Sequence, residues 1–580
     1  MPSNFAFIDR DKVVMKFIKY RCRLADFQSK ANQKTEFVSK DSIQKRKRKI
    51  NNELYDMFPS RKHWCNIGEL KRDSLDTAAR NERRLKLTYL KAKKNNCQEA
   101  WYLLLCKKAD EVVKVAIENK GMIPAPQVSV IEKKRKNNQK QIVYRPVCSF
   151  PLTLKIIFSL LNKYLTRLFD EYFYDCSYAF RMPSKDKKYL LQHLNAVKVI
   201  KDYRCQHMNR SLYVAECDMQ KFYDTISHRV IKTRFALMLQ WAKKHGKIEN
   251  KEIKLIRYWF WAYIDCFNFI ENVLVLNRKP TTDTFWGKEK CPEGYSRVIE
   301  WLKKDEIDYK LAKTRKGYVG VPQGGALSGL IANIVMHFVD HAVLGEIKDS
   351  DILYCRFCDD MILIGEDKVK VKSTFDCYNQ AICKSHLIPH PKKAIEIKSM
   401  KEFWEGKTRG PYEWGEKGRD VFPWITFVGF DFNWKGNLRI RRASFKKHIS
   451  KQTKIANELL LPYERGGKKP RYCAATILNS LKSRLIATSV GHVSLRNFRD
   501  NPNIRSWMSA FSILDKNRWS SQQLRELDRH RMIVISRTKR RLAKIECPGR
   551  SKLASYDDNP DSFFTYMGCP YSYYGQCFDY

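Results

Sequence analysis

Two short apolar runs meet at a pair of adjacent acids in Tyr354-Cys-Arg-Phe-Cys-Asp359-Asp360-Met-Ile-Leu-Ile-Gly365, and no other stretch of the chain restricts its fold so tightly. Apolar runs of this length predict strands, and charged residues between them predict a β-hairpin with the acids at its turn. Upstream, Tyr213-Val-Ala-Glu-Cys-Asp218 reads as a strand ending on a third acid, and Lys221-Phe222-Tyr223-Asp224-Thr-Ile-Ser-His228 turns from it into a helix. A lone Asp-Asp pair is usually an ordinary turn or cap. Three carboxylates delivered by neighbouring strands make a site too negative to stand alone, which hard divalent cations relieve.

A third element separates these acids from the common turn. Gly320-Val-Pro-Gln-Gly-Gly-Ala-Leu-Ser-Gly329 is a glycine-rich loop, and after it Leu330, Ile331, Ile334, Val335, Phe338 and Val339 recur at helical spacing. Glycine lets a backbone approach a substrate closely, and this loop lies between Asp218 and the Asp359–Asp360 pair. Two magnesium ions about 4 Å apart on such a cluster can activate a hydroxyl and steady a leaving pyrophosphate in an in-line displacement, with manganese as a substitute.

Charge narrows the partner. Lysine and arginine total 110 against 62 acidic residues, a formal net charge of +48, and self-repulsion on that scale is relieved by a polyanion such as nucleic acid. A membrane surface is the competing polyanion, but the aromatic run Tyr258 to Leu276 is interrupted by Asp265, Asn268, Glu271 and Asn272 and reads as a buried or amphipathic helix. The first residues show no basic stretch followed by an apolar one, so the expectation is a cytoplasmic protein with no membrane association. The 18 cysteines form no regular framework and read as reduced core residues. Cys355 and Cys358 have zinc-ligand spacing, but no second pair follows at finger distance.

The predicted fold class is α+β. Residues 1–120 read as a basic helical extension, 121–442 as the mixed helix-and-strand body, 443–545 as basic helices, and 546–580 as an irregular tyrosine-rich tail. Within the body, strand-like runs between Val128 and Val147 flank a basic stretch from Lys133 to Lys140, which predicts a hairpin with a basic tip.

The order and wording of these motifs resemble the reverse transcriptases of the group II intron and retron kind, over about residues 120 to 445. The resemblance implies a right-hand polymerase with fingers, palm and thumb. It makes Asp218, Asp359 and Asp360 the metal-binding acids and places Gln323 and Gly324, in the Pro-Gln-Gly loop, at the incoming nucleotide. It also assigns Arg145 and Arg181 (in Ser177-Tyr-Ala-Phe-Arg181) to substrate binding in the fingers, and Lys393 to the leaving pyrophosphate. Phe427-Val-Gly-Phe430 resembles the hairpin that grips the primer. Ala179, Ala326, Gly329 and Cys358 depart from the usual residues of these motifs, and none of them removes a metal ligand. With Leu527-Asp-Arg-His-Arg531 in a basic helical tail, the chain is most similar to the unknown-group bacterial reverse transcriptases associated with antiphage defence.

What the resemblance implies is an RNA-directed DNA polymerase that adds dNTPs, taking an RNA template and giving a DNA product. A structured noncoding RNA, a second reverse transcriptase or an effector protein are its candidate partners, and oligomer formation is open. Tyr223, a bulky ring just after Asp218, would clash with a ribose 2′-hydroxyl, which disfavours an RNA-dependent RNA polymerase. An intron maturase, a template-independent or protein-primed enzyme, and a non-enzymatic RNA-binding protein are the alternatives. In the tail, Tyr571, Tyr573, Tyr574 and Tyr580 are candidate priming hydroxyls, although packing onto the body is the plainer reading of tail aromatics.

Overall fold

The computed structural model describes residues 6–33, 53–68, 77–118, 123–135, 142–182, 193–208, 210–274, 318–393, 403, 406–416, 421–465, 467–490, 511, 513–515, 517–547 and 571–572. The architecture is α+β. The chain divides into two compact units, one of Met1–Val13 and Ala109–Pro423 and the other of Val14–Lys108 and Trp424–Tyr580. These boundaries differ from those suggested by composition, because shifts in charge mark changes of surface and not which apolar faces share a core.

In the first unit, strands β1 (Gln127–Arg135) and β2 (Ile142–Ser149) form the expected antiparallel hairpin; its tip lies outside the described residues. Helices α1 (Arg10–Gln33), α2 (Thr77–Lys94) and α3 (Ala100–Glu118) precede it in the chain; α1 and α3 each cross a unit boundary, and α2 belongs to the second unit. Helix α4 (Leu152–Phe169) follows, then α5 (His193–Gln206), strand β3 (Leu212–Cys217), the single turn α6 (Phe222–Thr225), α7 (His228–Lys244) and α8 (Asn250–Asp265). The aromatic run falls on α8 and beyond it, with Trp259, Phe260 and Tyr263 buried against α4 and α7.

Next come α9 (Ser328–Glu346), β4 (Ile352–Phe357), β5 (Asp360–Gly365), α10 (Lys368–Lys384), β6 (Lys392–Lys393), β7 (Thr408–Trp414) and β8 (Val421–Phe422). The strands make one sheet in the order β4-β5-β3-β7-β6, with β8 on β7. The pairings of β4, β5, β3 and β7 are antiparallel, whereas β6 and β8 run parallel to β7. Helix α10 covers β3, β5 and β7 and packs on α9. Helical cover explains why β4 and β5 read as continuous apolar runs and not as alternating ones. Asp367 starts α10, its carboxylate accepting from the backbone amides of Val369 at 2.8 Å and Lys370 at 3.3 Å. Helix α9 is long and apolar enough to cross a membrane, but most of it is buried, with Ile331, Ile334 and Val335 in the core.

In the second unit, β9 (Trp424–Phe427), β10 (Phe430–Asn433) and β11 (Leu438–Ile440) form an antiparallel meander. The turn at Val428 and Gly429 has positive φ at both residues. Helices α11 (Arg442–Glu464), α12 (Ala474–Val490) and α13 (Arg518–Leu542) surround a core of Leu459, Leu460, Ile477, Leu481, Leu485 and Val534.

Candidate active site

Register brings the three acids together. Cys217 of β3 faces Met361 of β5, so the next residue, Asp218, lies beside Asp360. Phe357 pairs with Asp360 across the β4–β5 hairpin, which leaves Cys358 and Asp359 as its two-residue turn. Cys358 takes φ of 63°, a left-handed conformation that a side chain tolerates only when its surroundings hold it. Here they do. Arg356 Nη1 donates to the Cys358 carbonyl at 2.8 Å, and the Cys358 thiol lies 3.1 Å from the Tyr223 hydroxyl.

The turn rests on a buried ion pair. Arg356 Nε and Nη2 donate to the two oxygens of Asp340 at 2.8 and 2.6 Å, and the Tyr354 hydroxyl donates to the same carboxylate at 2.7 Å. The two charged side chains are 0% and 1% exposed. Paired and hydrogen-bonded in this way, the charges are tolerated in the interior.

The carboxylates perturb one another. The Asp359 carboxyl is raised above its ordinary range by burial and then by the Asp218 charge. Asp360 keeps an exposed edge, yet the protein around its carboxyl withholds solvation, and the charges of Asp218 and Asp359 add to this, pushing it up to about 7. Among the described residues, no three His, Cys, Asp or Glu side chains close around a point as a ready-made cage. Asp218 instead meets a cation of the chain itself: Lys407 Nζ contacts its Oδ2, and His390 Nε2 lies 3.8 Å from the same oxygen. Three converging carboxylates with one positive charge already drawn to them suit a hard divalent cation with oxygen ligands.

A pH dependence follows from Asp360. A folded pKa of about 7 against an ordinary unfolded carboxyl near 4 means that its stabilising contribution is complete below about pH 4 and lost as pH rises through about 7. Relative to Asp360→Asn, the wild-type protein without magnesium is therefore expected to lose melting temperature between pH 5 and pH 8. Magnesium should restore more at pH 8 than at pH 5.5, where a proton competes with it. Thermal melts of both proteins at the two pH values check this, and a magnesium shift independent of pH would reject the assignment of Asp360.

The glycine-rich loop is docked on the same body. Gly320 N–H donates to the Ile226 carbonyl at 2.8 Å, Val321 N–H to that of Tyr223 at 2.8 Å, and Cys148 N–H to that of Gln323 at 2.7 Å. His228, buried, lies with Nε2 2.7 Å from the Gly320 carbonyl. A Cβ at Gly320 would stand 2.7 Å from the Phe269 side chain and 3.0 Å from the Asp224 carbonyl, at a φ of +89°, so only glycine fits there. Gln323 Nε2 donates to Asp224 Oδ1 at 2.5 Å. The loop, α6 with Tyr223, and the end of β2 thus form one connected wall. Gly324 is exposed on it at φ +87°.

The remaining expected residues divide. Arg145 is exposed on β2, and its positive charge is felt at the Tyr223 hydroxyl. Arg181 does not agree with the substrate role expected of it. Its guanidinium is buried, donating to Asp170 Oδ1 at 3.0 Å and to the carbonyls of Asp170, Phe173, Tyr174 and Ser177. Protein oxygens already satisfy that fork, so Arg181 shapes the loop it sits on. Lys393 is placed by its backbone in β6, opposite Arg409; its side chain lies outside the described residues. Tyr571 belongs to the second unit, 1% exposed among Ile440, Phe445, Phe511, Leu524 and Leu527. Asp528 accepts its backbone N–H at 3.0 Å and that of Ser572 at 2.8 Å. A phenol packed so serves as an anchor, not as a priming nucleophile. Tyr573, Tyr574 and Tyr580 lie outside the described residues.

Three residues at the site were not singled out by sequence: Lys407, His390 and Asp224. One lysine among 110 basic residues carries no local signal. The parallel pairing of β6 with β7 and the hydrogen bonds from His390 N–H to the Asp218 carbonyl, 2.9 Å, and from Gln220 N–H to the Ile388 carbonyl, 2.7 Å, bring Lys407 and His390 to the acids.

Known proteins give three comparisons. No curated protein matches the sequence. Among solved structures, an apo telomerase from Candida tropicalis truncated from the C-terminal domain aligns with a TM-score of 0.34 and 15% identity, over 58% of this chain and 60% of that one. A telomerase from Candida albicans in complex with a TWJ fragment of telomeric RNA aligns with a TM-score of 0.31 and 14% identity, over 76% and 66%. The chain thus spans less than two thirds of the length of either. Residues 279–403 match the family model of the reverse transcriptase (RNA-dependent DNA polymerase), a span that holds the Gln323 loop, α9 and the Asp359–Asp360 hairpin, while Asp218 and Tyr223 stand before it. Over that segment the chain is similar to a reverse transcriptase domain.

Proposed function

We propose that the whole chain copies RNA into DNA by a two-metal mechanism at Asp218, Asp359 and Asp360, in bacterial antiphage defence, with a structured noncoding RNA as template. The observation that carries the polymerase reading is the register of β3, β4 and β5, which gathers the three acids beside the docked Gln323 loop. Magnesium bound there would supply charge stabilisation at the reacting phosphate and a more acidic primer hydroxyl. The residues of the chain do the rest. The carboxylates of Asp218, Asp359 and Asp360 would hold the cations, and Arg145 is suited to clamp a triphosphate through its bidentate fork. Gln323 and Gly324 would present backbone and amide to the incoming nucleotide. Support for the defence role is the likeness of motif wording to that reverse transcriptase group, and a net charge of +48 supports an RNA partner.

Sugar choice would fall to Tyr223. Its hydroxyl is tied to Cys358 at 3.1 Å and its backbone to Val321, so the ring is held in place, and in this reading it would clash with a ribose 2′-hydroxyl. Primer extension on an RNA template should therefore proceed with dNTPs and fail with rNTPs, and Tyr223→Val should admit rNTPs while keeping dNTP incorporation. An unchanged preference in the variant would leave Tyr223 as a packed palm aromatic, and no incorporation of either nucleotide by the wild-type protein would reject the polymerase reading.

The second unit offers a surface for the nucleic acid. A cleft of about 930 Å³ between α11 and α13 is lined by Arg518, Arg525, Arg529 and His530. Asn517 caps α13, accepting the Ser520 N–H at 2.9 Å. Such a face suits phosphate backbones.

A further inference from the structure

We propose that Lys407 is a built-in counter-ion of the metal site: its ammonium holds the Asp218 carboxylate in the metal-free protein and must leave before that carboxylate can bind a cation. The inference rests on reading Asp218 as a metal ligand.

The contact is unlike an ordinary surface ion pair. Asp218 is 18% exposed at its side chain, whereas Lys407 is 55% exposed, so one partner is lodged at the end of a central strand and the other reaches it from solvent. Lys407 Nζ also lies 3.2 Å from His390 Nε2. Because an ammonium can only donate, that ring nitrogen accepts, and the lysine is held by a carboxylate and an imidazole together.

The backbone under Lys407 is fixed while its side chain is open to solvent. The next residue, Thr408, pairs with Lys392 and donates through Oγ1 to Cys217 Sγ at 3.6 Å. Beyond it Arg409 Nη2 contacts Glu216 Oε2 at 2.5 Å in a pair less than a tenth exposed. On the other side, His390 N–H donates to the Asp218 carbonyl, and Gln220 N–H donates to that of Ile388. Position 407 is therefore pinned beside the strand end, and a four-carbon stem lets the ammonium leave without moving the strands.

Physical need points the same way. Three carboxylates in one place repel each other until a cation arrives, and Lys407 lessens that repulsion in its absence. A metal ion and the ammonium then compete for one carboxylate, and each weakens the binding of the other.

The test is a manganese titration of the full chain without nucleotide, read from the electron paramagnetic resonance signal of free Mn2+. Lys407→Met, which keeps the stem and removes the charge, should bind Mn2+ about fivefold more tightly than wild type. Lys407→Arg and the neighbouring control Lys392→Met, whose ammonium lies 5.5 Å from the centre of the Phe375 ring, should bind as wild type does. Asp218→Asn should bind more weakly, and Lys407→Met should confer no gain in that background. If Asp218→Asn weakens binding but Lys407→Met does not tighten it, or tightens it no more than Lys392→Met, the inference fails while the metal site stands. If Asp218→Asn binds as wild type does, both fail. Melting temperatures of the variants separate misfolding from either result.

Discussion

Changing Asp218 to Ala, or Asp359 and Asp360 together to Asn, should abolish dNTP incorporation while leaving the fold intact. Metal-borne charge stabilisation is worth several kcal/mol, and about 1.4 kcal/mol corresponds to each tenfold in rate, so a loss of at least about 10³-fold is expected. The structural cost should be small or favourable. Burial and mutual repulsion already hold the Asp359 and Asp360 carboxyls above their ordinary range, so neutral side chains relieve strain instead of opening a cavity. Melting temperature at pH 8 should stay level or rise. Primer extension in magnesium with a melt of the same preparation decides the matter: near-wild-type incorporation by either variant would remove these residues from the site.

The opposite pattern is expected at Arg356. Arg356→Met leaves the Asp340 carboxylate, 1% exposed, without its guanidinium, and stranding one member of a buried pair costs about 3–5 kcal/mol. The same change deletes the hydrogen bond that holds the Cys358 carbonyl, so the Asp359–Asp360 turn loosens as stability falls. Activity and melting temperature should drop together, unlike in the aspartate variants. Arg356→Met with Asp340→Leu removes both charges and should recover part of the stability, since an apolar replacement of a buried pair is often neutral. The double variant should still lack activity if the turn needs the bond to Cys358. A single Arg356→Met protein as stable as wild type would show that Tyr354 alone can satisfy Asp340.

Much of the site was legible because it is written in local patterns. An apolar run ending on Asp218, a hairpin with acids at its turn, and a glycine loop before a periodic helix each come from neighbours in the chain, and the structure holds each of these elements. Where reading failed, the deciding contact was distant. Ser177-Tyr-Ala-Phe-Arg181 suggests a substrate arginine, but Asp170 and four backbone carbonyls claim its donors. Tyr571 looks like one more residue of an irregular tail, yet Asp528 and an apolar cluster draw it inward.

The domain boundaries show the same limit. Charge composition separates residues 1–120 from the body, while packing assigns Val14–Lys108 and Trp424–Tyr580 to one unit and returns the first residues to the other. By itself, then, the sequence determined which segments become strands, turns and helices and which residue types sit at the ends of those strands, because side-chain periodicity and turn chemistry act over a few residues. Tertiary structure decided the register that sets Asp218 beside Asp360 and the pairing of β6 with β7 that brings Lys407 to Asp218. It also decided that Asp340 would be the partner of Arg356. Those choices depend on which faces bury together and which charges must be neutralised once water is excluded, and neither is a property of any short stretch of chain.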